Sequence, residues 1–189
     1  MNELDIYQIF QNIFDQSKVI NGQFSIATRY GGSLDDEKVG EYITNTLKPK
    51  RYPLAALFPP VDVPGDKINS MKFKLLFLVQ EGNGTKGIKK PLSNNTSGHL
   101  IIYDWKDMVD CAYNFIKVIK ELSKITPRQF SIKTEMIERF SQSSTARLSG
   151  AALSFSMEIL NTNCENNEYE INDFRDLLQT KDIHPQHSH

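Results

Sequence analysis

The chain has 189 residues, with 22 Lys and Arg against 23 Asp and Glu, a formal net charge of −1 and 39% hydrophobic residues. This length suits one ordinary domain with a core that needs no disulfide or metal, and the hydrophobic share excludes wholesale disorder. The near-zero charge excludes a global electrostatic pull toward nucleic acid or an anionic membrane.

The pattern predicts an amphipathic helix over residues 2–16, with Leu4, Ile6, Tyr7, Ile9, Phe10, Ile13 and Phe14 largely on one side and Asn2 as its cap. Phe24 to Tyr30 alternates mildly and predicts a strand; Gly31, Gly32, Ser33, Leu34, Asp35 and Asp36 follow as a turn or loop. Residues 35–47 fit a short helix with Val39, Tyr42, Ile43 and Leu47 on one side. Arg51 to Phe58 is a second expected strand. Pro59 and Pro60 are expected to end it, because proline cannot donate to a ladder.

Met71 to Gln80 carries the clearest strand signal. Met71, Phe73, Leu75, Phe77 and Val79 face one way. Lys72, Lys74, Leu76, Leu78 and Gln80 face the other, which predicts a central strand with partial cover on its second face. Glu81 to Gly98 is long and polar, a hairpin tip or loop of the kind that often binds or assembles. Asp104 to Leu122 is the strongest helix. Asp104 is expected at its N-cap, and Trp105, Met108, Val109, Ala112, Ile116, Ile119 and Leu122 form its stripe. Phe130 to Ile137 and Ala151 to Leu160 are two further strands joined by Glu138 to Ser149; a short helix over 171–179 and a frayed, His-containing end close the chain. The order predicts an α+β fold, a mainly antiparallel β-sheet packed against helices on one face. One domain is expected over 1–165, with 166–189 a short helix and flexible tail.

No motif announces chemistry. Gly82-Asn83-Gly84-Thr85-Lys86-Gly87 follows a strand but misses the phosphate-loop spacing, so a turn is the better reading. His184, His187 and His189 cluster on the tail without the supporting groups that orient metal ligands. Cys111 sits beside a helical core stripe and Cys164 beside an acid, neither a setting that favours a thiolate; both are expected as free thiols. Asp35-Asp36 and Glu135/Glu138 read as solvated carboxylates. No catalytic residue, cofactor site or metal site is assigned, and the chain is expected not to be an enzyme.

Local charge is less even than the total: Met71 to Lys90 holds five lysines and one glutamate, and Glu158 to Asp182 seven acids and two bases. The lysines could follow a phosphate backbone, yet no aromatics interleave them in the loop to stack on bases. No basic n-region with a long apolar stretch opens the chain, and no apolar run approaches bilayer length, so a cytoplasmic origin without a membrane partner is expected.

Three stretches taken in order carry a family resemblance: Arg51-Tyr52-Pro53-Leu54-Ala55-Ala56-Leu57-Phe58-Pro59-Pro60; Phe73 to Val79 with its polar loop and the Trp105 helix; and Ala146 to Leu160 followed by Asn163-Cys164. Over residues 1–165 this resembles the neck and tail-terminator (tail-completion) proteins of tailed phages and prophages, especially those of Bacteroidetes-type hosts. The resemblance implies a non-catalytic virion subunit made in the host cytoplasm. It implies homo-oligomeric rings, commonly of six, at the head–tail junction, and partners among connector and tail-tube proteins, with no small-molecule substrate. The polar loops Gly31–Lys38 and Glu81–His99 would then be assembly elements, with Gly31, Gly32, Asp35, Asp36, Lys86, Lys89, Lys90 and His99 as interaction residues. Two other readings remain: an enzyme with a dispersed site, which requires a deep pocket lined by converging polar groups, and a nucleic-acid module using the Lys-rich 72–90 segment.

Overall fold

The structure is a computed structural model and describes residues 3–26, 52–65, 68–80, 99–125, 130–141 and 147–160. The described elements are α1 (Glu3–Asp15), β1 (Phe24–Ile26), β2 (Leu54–Leu57), β3 (Val61–Val63), β4 (Ile68–Gln80), α2 (His99–Ile125), β5 (Phe130–Ser141) and β6 (Leu148–Leu160). They build an α+β fold around a six-stranded sheet of order β1-β2-β4-β6-β5, with β3 also on β4. Every described pairing is antiparallel except β1 with β2.

The sheet is held together by two long strands. β4 and β6 pair in unbroken register from Ile68↔Leu160 to Gln80↔Leu148. Gly150 sits opposite Leu78, where a Cβ would run into the Phe77 carbonyl oxygen. Only glycine allows the two backbones to come this close. β5 flanks β6 and carries a bulge between Ile132 and Thr134.

Both helices cover the same face. In α1, Ile6, Phe10 and Phe14 recur every four residues and are buried, and Glu3 and Asp5 lie in the first turn, where the helix dipole favours acids. After α1 the chain reverses: the Gly22 N–H donates to the Phe14 carbonyl (2.9 Å), with Asn21 at φ 50° and Gly22 at φ 73°. The turn stacks Phe24 on Phe14, ring centroids 5.0 Å apart. Met108, Val109, Ala112, Phe115, Ile116 and Ile119 of α2 pack with these onto Phe73, Phe77, Leu153 and Phe155 of the sheet. The core is strongly aromatic: Phe10 meets Phe73 and Phe115 edge-on, and Phe73 stacks on Phe155 at 5.3 Å.

The opposite face of the sheet is split. Leu54, Ala56, Phe58, Leu76, Leu78, Leu148 and Ala152 form a second buried cluster with Tyr52 and Phe140 packed against it. Further along the same face Lys72 is exposed and Lys74 half-buried. The expected partial cover of this face of β4 is therefore observed.

Four expectations need correction. Pro59 and Pro60 do not end the ladder: the Phe58 N–H donates to the Lys74 carbonyl (3.0 Å), and Val61 then pairs with Lys72. Three steps on the edge strand match two on β4, so the prolines occupy a bulge, a position that tolerates a missing donor. Asp104 is not an N-cap. α2 begins at His99, and Asp104 is fully buried inside the helix, where its carboxylate accepts the Ser149 hydroxyl (2.9 Å). Residues 138–149 are not all connection either, because β5 runs to Ser141 and β6 starts at Leu148. β4 begins at Ile68 rather than Met71. The expected helices over 35–47 and 171–179, the end of the strand after Ile26, and the tail lie outside the described residues.

Candidate functional site

Two surfaces stand out, and each arises from residues left over once the core is filled. The first is a groove between the helices. α1 turns Phe10 and Phe14 into the core, which leaves Ile9, Asn12, Ile13 and Gln16 on its flank. α2 likewise leaves Cys111, Asn114, Val118 and Leu122 beside its buried stripe. Both sets follow helical spacing, so each helix presents a second, shallower stripe. Between them lies a cavity of about 670 Å³, closed at one end by the turn from Ser17 to Ile20. Its floor is Phe14, Phe77 and Phe115, with the Phe14 and Phe115 rings nearly parallel at 5.1 Å. Val19 and Val118 stand at its mouth, each more than 40% exposed. Asn12, Gln16, Asn114 and Lys18 supply polar groups at the rim.

The groove is lined mainly by apolar side chains. The Cys111 thiol is pushed up to about 12, chiefly by burial and further by the nearby Asp107 and Asp110 carboxylates. It stays protonated at neutral pH and is a poor nucleophile. Asp107 is itself raised, first by burial; Lys106 opposes the shift, while Asp110 and Asp104 add to it. Tyr7, on α1, is raised by burial, by its hydrogen bond to the Glu3 carboxylate and by the charges of Glu3 and Asp62.

The second surface is the corner where β3 meets the start of β4. Val61 and Val63 pair with Lys72 and Ser70, so all four side chains share the face turned away from the helices. Ile68 lies on that face by alternation along β4. Val61 is 60%, Val63 42% and Ile68 46% exposed. Among the described residues β3 pairs only with β4, which leaves its outer backbone edge without a strand partner.

Behind the groove, α2 is pinned to the sheet at its other end. The Ser149–Asp104 hydrogen bond and the Trp105 indole N–H, which donates to the Phe140 carbonyl (2.7 Å), fix its N-terminal half against β5 and β6. The exposed Lys120–Glu135 ion pair adds a contact to β5.

Of the residues expected to interact, Gly31, Gly32, Asp35, Asp36, Lys86, Lys89 and Lys90 lie outside the described residues. His99 is the first residue of α2. The sequence reading missed both surfaces found here. Val61 and Val63 alternate with Asp62 and give a strand signal, which the flanking prolines masked. The groove's two stripes are visible as apolar residues next to the main stripes, but their meeting depends on the packing of α1 against α2. Among the described residues no three metal-ligating side chains come together, and no helix is long and apolar enough to cross a membrane. The sequence matches no protein-family model and none of the curated proteins.

Proposed function

We propose that this chain is a structural assembly subunit that forms a ring at the head–tail junction of a tailed phage, as a tail terminator or neck protein. The observation that carries the reading is the β3–β4 corner: three exposed aliphatic side chains on one face, Val61 and Val63 of the edge strand β3 and Ile68 of β4. Edge strands are usually blunted by charge or cover, and clustered apolar exposure marks a docking surface. The resemblance over residues 1–165 and the mainly antiparallel α+β fold support the same reading, and the apolar groove supplies a second surface on the same subunit. A ring requires two different surfaces on each subunit. The partners would be further copies of the chain and the connector or tail-tube proteins that the ring caps, and its place would be the virion.

The test is light scattering of the purified chain across concentrations, with electron microscopy of the largest species, alone and with purified tail tubes. Closed rings, or rings seated on tube ends, are expected. A chain that stays monomeric at high concentration and leaves tube ends bare overturns the proposal.

A further inference from the structure

We infer that the chain's own acidic C-terminal segment, residues 165–182, folds back over the β3–β4 corner and covers it in the free chain. This goes beyond the ring reading and stands without it. Three observations name the occupant, and the first is where the chain leaves the domain. β6 runs toward the corner and ends at Leu160, directly opposite Ile68. Residues 161–189, which lie outside the described residues, therefore start beside the exposed Val61, Val63 and Ile68. Residues 161–170 can span up to about 33 Å. Lys74 lies only about 20 Å from Ile68 along β4, at about 3.4 Å per residue, so the whole open half of this face is within reach. The α1–α2 groove, floored by Phe77 on the opposite face, is farther away.

The second observation is charge. Lys72 pairs with Val61, and Lys74 follows two residues on, so both share the corner's face. Lys133 meets Glu158 there (3.2 Å), whereas Lys72 and Lys74 have no ion-pair partner among the described residues. The first three charges beyond Leu160 are Glu165, Glu168 and Glu170. The third observation is the apolar pattern. Ile171, Phe174 and Leu178 recur at helical spacing with Leu177 beside them, and Asp173 and Asp176 fall on the opposite side. Eight helical residues are about 12 Å long. β3 and β5 lie three strand spacings apart, about 14 Å. Exposed apolar side chains stand at both ends of that span, Val61 and Val63 on β3 and Met136 on β5. Met136 pairs with Ser154, which lies opposite Lys74, so it shares the same face. An apolar stripe laid across the strands covers these side chains and Ile68, and leaves Asp173 and Asp176 in water. Tethering sets a local concentration of about a millimolar, so a weak contact suffices. The contact is local: the segment can lift off while the domain stays folded, and a partner that binds the corner more tightly displaces it.

The experiment uses the full chain with one reporter thiol, Val63→Cys, in a Cys111→Ala, Cys164→Ser background. Iodoacetamide labelling of that thiol is followed across a dilution series, with folding checked by circular dichroism. Ile125→Cys, exposed at the end of α2, is the control reporter. Phe174→Ser with Leu178→Ser should speed labelling at position 63 by about tenfold and leave position 125 unchanged. Lys72→Glu with Lys74→Glu should speed it as well, and adding Glu168→Lys with Glu170→Lys to that pair should restore the slow rate. Protection that persists on dilution and is lost in the Phe174→Ser, Leu178→Ser variant supports the contact within one chain. A rate that this variant leaves unchanged, or a charge swap that restores nothing, overturns it. Protection that vanishes on dilution also overturns it and gives the corner to a second copy. The ring reading is judged separately, by assembly: a chain that never associates yet protects position 63 sinks the ring and keeps this contact.

Discussion

The outer face of the sheet has two halves built from the same strands. Toward the end of β4, Leu76 and Leu78 are buried with Leu54, Ala56 and Leu148. Toward its start, Ser70 and Lys72 share the face with the exposed Val61, Val63 and Ile68. β3 offers aliphatic side chains just as β2 does, yet those of β2 are buried and those of β3 meet solvent. Hydrophobicity alone therefore does not decide burial; what a residue's cross-strand neighbours are, and whether anything covers them, does. Apolar residues left uncovered on an otherwise well-ordered sheet are the ones available to a partner.

The sharpest way to break this comparison is a pair of truncations. Leu78→Ala removes a fully buried side chain in the covered half and should cost about 2–5 kcal/mol. Val63→Ala in the open half should stay within about 0.5 kcal/mol. Urea melts of the two variants check this, and equal losses would mean that the open half is covered in the free chain. Gly150→Ala comes next. Its added methyl would run into the Phe77 carbonyl oxygen, so β4 and β6 must part beside the covered half, at a cost of about 1–3 kcal/mol read from thermal unfolding. An unchanged melting temperature would show that the close approach can relax freely.

Ser149→Ala removes the hydroxyl that Asp104 accepts on the helical face and should cost about 1–3 kcal/mol, because it strips a partner from a buried carboxylate. Ser156→Ala, at a half-buried position on the outer face, should be close to neutral. Denaturant titration compares the two, and a neutral Ser149→Ala would show that α2 is not anchored there. The smallest effect concerns the groove. The Cys111 pKa is raised to about 12, so the folded chain holds a proton that the unfolded chain releases near the ordinary thiol value of about 8.5. Stability from this group is intact below that value and falls as pH rises toward 12. In a Cys164→Ser background, iodoacetamide labelling of Cys111 should be slow at pH 8 and quicken steeply above pH 10. Fast labelling at pH 8 would place the thiol in water rather than in an apolar groove.

Local pattern settled much of this protein. The alternation of Met71 to Gln80 determined which face of β4 meets the helices and showed Lys72 and Lys74 giving way to Leu76 and Leu78 on the other. The spacing of Ile6, Phe10 and Phe14, and of Met108, Ala112 and Ile119, determined the buried stripes of both helices. These are short-range facts, written in side chains a few residues apart. The rest depended on partners distant in sequence. Asp104 has the chemistry of a helix cap, but a hydroxyl 45 residues away fixed it inside the helix instead. Pro59 and Pro60 have the chemistry of a strand end, but the adjacent β4 carried the ladder past them through a bulge. The groove exists only because α1 and α2 rest side by side over Phe77, and the corner is exposed only because nothing packs on the start of β4's outer face among the described residues. Sequence determined which surfaces are apolar; tertiary packing decided which of them remained available, because burial is a property of neighbours and not of a residue alone.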